Sequence, residues 1–181
     1  MLLLYIFILV MLFSSVPYLV SMTKKASAAA NIKRALEQAG CKFIPVNPIW
    51  YMGSISGKNC DFYIIFDSKV IAVKMVSFIS SNVFLEFVDK KSYRIKTVRS
   101  KTELDASSVI LKTCKKRTYD FKSKLPKEAI GLPLAKVILI NDPLPAMVTI
   151  ADDNRSVVVH PGDRIPEGDY HTIDSFLYLF K

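Results

Sequence analysis

The sequence predicts a mixed α/β domain, one central sheet with flanking helices, preceded by a single N-terminal transmembrane helix. Three observations predict it: an uncharged apolar run at the start, an amphipathic helical pattern just after it, and a succession of short β-rich runs separated by turn chemistry. With 181 residues, the chain is long enough for a membrane anchor over residues 1–22 and one body of ordinary domain size over residues 26–181.

Residues 1–22 carry no charge, and only Ser14, Ser15, Pro17 and Ser21 interrupt the apolar run. At 1.5 Å per residue, such a helix reaches about 30 Å, the thickness of a bilayer core. Lys24 and Lys25 follow at once and no Lys or Arg precedes, so the positive-inside rule predicts a single-pass membrane protein with a cytoplasmic body. Ala26-Ser27-Ala28 offers a small-residue cleavage pattern. The missing basic leader and the two lysines before that pattern favour a retained anchor over a cleaved signal.

Residues 26–40 (ASAAANIKRALEQAG) are rich in helix formers, place Ile32, Leu36 and Ala39 on one face, and stop at Gly40. Residues 41–46 and 49–52 are short, extended and broken by Pro45 and Pro48. Residues 61–66 (DFYIIF) and 70–76 (VIAVKMV), joined by the polar tip at Asp67 and Ser68, predict a hairpin of two largely buried strands. Residues 82–88 (NVFLEFV) and 92–98 (SYRIKTV) predict two more strands, and a helix is expected around 106–114. Three further strands are expected at 135–140, 147–151 and 156–160, then a closing helix at 173–180 with Thr172 as its cap.

The formal charge of +9 is concentrated. Residues 90–127, read as a basic insertion, hold thirteen Lys/Arg against Glu103, Asp105 and Asp120, so this tract carries the whole excess. Such a field points to phosphate, whether of nucleic acid or of anionic lipid. The candidate contacts are Lys90, Lys91, Arg94, Lys96, Arg99, Lys101, Lys112, Lys115, Lys116 and Arg117. Cys41, Cys60 and Cys114 show no metal-ligand spacing and suit a reducing compartment. His160 and His171 bracket a Pro/Gly-rich stretch whose turn chemistry explains it without a metal. The sequence holds no GxSxG, phosphate-binding GxxxxGK or GxGxxG motif, which argues against the commonest hydrolases, NTPases and dinucleotide enzymes.

Asp61 opens one strand of the predicted hairpin, Lys74 lies near the end of the other, and Glu37 sits on the preceding helix. Carboxylates converging at a sheet edge with a lysine beside them could hold a divalent metal and stabilise charge on a scissile phosphate. With its Gly57-Lys-Asn-Cys-Asp61 segment followed by FYIIFDSKVIAVK, the chain resembles the PD-(D/E)XK, or restriction-endonuclease-like, superfamily, and within it the nuclease-related branch. The resemblance implies a restriction-endonuclease-like fold, magnesium held by Asp61 and Glu37, and Lys74 as the third catalytic residue. It departs from the pattern at Ala72, where the superfamily carries Glu or Asp.

The expected function is therefore a membrane-anchored nuclease-fold protein that binds nucleic acid, with metal-dependent phosphodiesterase activity weakened or lost. The alternative is a non-enzymatic membrane-associated scaffold whose basic tract binds anionic lipid or a partner.

Overall fold

The structure is a computed structural model that describes residues 26–46, 60–78, 80–98, 111–118, 121, 124–152 and 155–181, with Val16, Leu19, Val20 and Thr23; for 98 and 111–118 only the backbone is described. Helix α1 (residues 26–38) is followed by β1 (Lys42–Pro45), β2 (Phe62–Phe66), β3 (Lys69–Ser77), β4 (Val83–Asp89), β5 (Ser92–Val98) and β6 (Leu111–Thr118). Then come β7 (Leu134–Asn141), β8 (Met147–Asp152), β9 (Arg155–Val158), β10 (Arg164–Ile165), β11 (Gly168–Thr172) and α2 (Ile173–Tyr178).

These strands form two sheets rather than the single central sheet expected. The first has six strands in the order β1-β2-β3-β7-β11-β10, the second five in the order β6-β5-β4-β8-β9. Strands β1, β2 and β3 make an antiparallel meander, and β7 and β11 then continue the first sheet parallel to β3. Each parallel crossover passes through the second sheet, where β4 and β8 are themselves parallel neighbours. The second sheet thus covers the face that a crossover helix covers in an ordinary α/β unit.

Alternation along the strands explains the layering. Phe62, Ile64, Val73, Met75, Val137 and Leu139 form a core with Ile32 and Leu36 of α1 and Phe176 of α2. Their neighbours Tyr63, Val70, Ala72, Val76, Ile138 and Ile140 pack on the opposite side with Val83, Leu85, Phe87, Tyr93 and Val148 of the second sheet. The result is three layers: helices, sheet, sheet.

Local chemistry sets the expected boundaries. Gly40 takes φ +77°, and its amide and that of Cys41 bond to the carbonyls of Glu37 and Leu36, the glycine-terminated end that the helical pattern predicts. Asp67 and Ser68 both have positive φ, as a two-residue hairpin turn requires. Thr172 caps α2 reciprocally with Ser175.

Other expectations are corrected. Among the described residues no helix is long and apolar enough to cross a membrane. Most of the expected anchor, residues 1–22, lies outside the described residues, and α1 is amphipathic, with Lys33 and Glu37 paired on its exposed side. The transmembrane helix placed ahead of the domain therefore has no support in this fold. Within the basic tract, residues 92–98 and 111–118 form β5 and β6 of the second sheet. The helix expected around 106–114 gives way to strand from Leu111, because β6 pairs along its length with β5; residues 106–110 lie outside the described set. The Pro/Gly stretch read as loop contains β10 and the start of β11.

Candidate functional site

The hairpin brings Asp61 and Lys74 together. Asp61 stands one residue before β2, its amide bonding the Val73 carbonyl at 2.8 Å, which sets it beside Lys74 on β3. The Lys74 amine lies 3.8 Å from Asp61 Oδ2, and that oxygen also accepts the Met75 amide at 2.7 Å. Both side chains are buried, at 1% exposure for Asp61 and 8% for Lys74. By strand alternation they lie on the side of Tyr63, Ala72 and Val76, which packs against the second sheet.

Glu37 does not join them. It sits on the helix layer, across the first sheet, with its side chain 54% exposed and 3.8 Å from Lys33. Ala72 is directly opposite Tyr63 in the strand register and both are buried, so a carboxylate there would have to displace a packed tyrosine. Among the described residues, no group of three His, Cys, Asp or Glu side chains is placed to hold a metal ion. One carboxylate already engaged by a lysine and a backbone amide is a poor donor set for magnesium, which favours several oxygen ligands and its own water. The described residues do not fit the metal that the resemblance implies. The two histidines are also apart: His160 lies in an exposed turn closed by Asp163, and His171 is buried against Phe176 and within reach of Ser175.

Two of the candidate cations, Arg94 and Lys96, come together elsewhere, on the outer face of the second sheet. Because Leu85 and Phe87 point inward, Phe84 and Glu86 point outward, and the register sets Arg94 opposite Glu86 and Lys96 opposite Phe84. The Glu86 carboxylate accepts hydrogen bonds from Lys96 at 2.9 Å and from Ser156 at 2.8 Å, and Arg94 approaches its other oxygen at 3.5 Å. Burial works against ionisation of Glu86, but the bonds from Lys96 and Ser156 and the two nearby cations outweigh it and hold the carboxyl below its ordinary range.

The exposures decide what a ligand would meet. Arg94 is 43% and Lys96 23% exposed, whereas Glu86 is 5% exposed, so the cations face solvent and the carboxylate lies beneath them. Strand β6 extends the sheet beyond β5, with Lys116 in register with the outward Arg94 and Lys115 with the inward Ile95. Lys112 and Arg117 lie on the same strand, Lys90 and Lys91 form the β4–β5 turn, and Arg99 and Lys101 are outside the described residues.

Glu86 and Ser156 were missed at the level of sequence, although a lone glutamate in an apolar strand was a readable signal of the same kind as Lys74. A cleft of about 400 Å³ at the ends of β7 and β11 was also unforeseen. Among the described residues its lining includes Asn31, Asn141, Asp142, Thr172 and Asp174 and no Lys or Arg, a polarity that does not favour phosphate. No family model, curated protein or solved structure matches the chain.

Proposed function

We propose that this protein binds nucleic acid through the outer face of its second sheet, on a core resembling the restriction-endonuclease-like superfamily, and that it acts by binding rather than by cleavage. The observation that carries the reading is the cation-over-carboxylate arrangement of Arg94, Lys96 and Glu86, which turns a sheet face outward with positive charge fixed in place. Helix α1, the β1-β2-β3 meander and a fourth strand parallel to β3 support the likeness of the core. The closed surroundings of Asp61 and Lys74, the methyl group at Ala72 and the distant Glu37 favour binding over metal-dependent hydrolysis.

The test is fluorescence anisotropy of labelled oligonucleotides with the full chain in a neutral non-ionic detergent. Affinity should fall linearly on a log–log plot between about 50 and 200 mM salt, as phosphate contacts release counterions. Arg94→Gln and Lys96→Gln should each weaken binding and flatten that slope, and Lys42→Gln, on the first sheet, should leave both unchanged. No binding at the lowest salt, together with capture by anionic vesicles, would replace this reading with a lipid-binding one.

A further inference from the structure

We infer that the outer face of the second sheet is a platform for single-stranded nucleic acid, with a base stacked on Phe84 and the adjacent phosphates held by Lys96 and Arg94. This deepens the nucleic-acid reading and rests on it, but a different observation carries it. Phe84 is half-buried and belongs to neither apolar core, although its strand neighbours Val83, Leu85 and Phe87 are all core residues. An aromatic side chain on the side of the sheet away from both cores is not needed to hold the layers together.

Its neighbours on that face suit a base. In the register, Phe84 lies between Met147 on β8 and Lys96 on β5, and neighbouring strands are about 4.8 Å apart. The ring is therefore flanked in the sheet by a methionine and by a lysine whose amine reaches along the face to Glu86. One row further along β4, Thr149, Glu86 and Arg94 stand side by side, bringing the guanidinium within a nucleotide's reach of the ring. The bond from Ser156 and the bond from Lys96 keep Glu86 down and fix the amine above it.

A sheet face with a ring on its central strand meets unstacked bases well and duplex poorly. Bases of a single strand turn freely onto an aromatic face, whereas those of a duplex are already stacked on one another and are read by elements that enter a groove. Stacking is tolerant of base identity, so the platform should discriminate strandedness more than sequence.

The experiment compares an oligonucleotide of about 16 nucleotides with its own duplex on the full chain. The single strand should bind at least tenfold more tightly. Phe84→Leu should lower single-strand affinity by about tenfold and leave duplex affinity unchanged, with Phe84→Tyr restoring it. Ultraviolet crosslinking of a bromouracil strand should map to the peptide that contains Phe84. A melting curve of the Leu variant matching the parent shows that the face is still folded; if the variant unfolds, the Tyr variant and the crosslink decide alone. Equal affinity for single strand and duplex, with both weakened by Lys96→Gln, overturns the platform but keeps the nucleic-acid reading. Absence of binding to either form overturns both.

Discussion

Asp61 and Lys74 show how a residue pair can be readable and still mislead. Their juxtaposition follows from two apolar runs joined by a two-residue turn, and the turn forms because Asp67 and Ser68 accept positive φ. What the residues themselves cannot reveal is that a second sheet closes over this side. A buried ion pair gains little net stability, but removing one partner deprives the other charge of that partner's compensation. Lys74→Ala should therefore lower the unfolding free energy by about 3 kcal/mol, at the modest end of the usual range because Asp61 keeps the Met75 amide. Asp61→Asn combined with Lys74→Met should cost less than the sum of the single changes. Urea denaturation of Lys74→Ala, Asp61→Asn, Lys74→Met and the double variant measures these costs, and strictly additive losses would show that the two side chains do not act as a pair.

At the scale of elements, β11 is set by a close approach. A Cβ on Gly168 would stand 2.2 Å from the Lys136 carbonyl oxygen and 2.8 Å from its carbon, and backbone atoms of a neighbouring strand cannot give way as a side chain can. Gly168→Ala should cost about 1–3 kcal/mol and speed hydrogen exchange of the β11 amides. An alanine variant as stable and as protected as the parent would rule out this account of the β7–β11 contact. The same strand marks the limit of what sequence discloses. Helix α1, the β2–β3 hairpin and α2 are legible because their signals are local: a 3.6-residue apolar stripe ending at Gly40, paired apolar runs, and a Thr172 cap. Strand β11 (GDYHT) has no apolar alternation to announce it, and it is a strand because it pairs in parallel with β7, about thirty residues earlier. Strand β6 (LKTCKKRT) reads as solvated charge for the same reason. The division into two sheets depends on β3 finding β7 and β4 finding β8, pairings that no window of sequence contains. Of the candidate site, Arg94 and Lys96 were visible as charge. Glu86, which fixes them, was visible only as an oddity in an apolar run.

For the molecule as a whole, the first sheet contributes one face to each core, so the helix layer and the second sheet share their support. Two groups whose protonation opposes folding lie on either side of this arrangement, His171 on the first sheet and Glu86 on the second. Burial holds the His171 imidazole below its ordinary pKa of 6.5, with nearby Asp169 opposing the shift only in part. The folded state therefore binds that proton less readily than the unfolded chain, so its contribution is complete above pH 6.5 and is lost as pH falls through the lower folded value. Glu86 has the same sign at lower pH: its carboxyl is depressed below 4.5, so the stability it supplies is present above that value and disappears on further acidification. The midpoint of chemical denaturation should thus fall in two stages on acidification, the first removed by His171→Gln and the second by Glu86→Gln. A first stage that persists in the His171 variant would assign it to another group. Because the two layers hold a sheet in common, loosening either one should unfold both. Far-ultraviolet dichroism and tyrosine fluorescence should therefore report the same midpoint at every pH. Divergent midpoints in the acid range would mean that the second sheet separates from the first before the helix layer does, and that the three layers are not one cooperative unit.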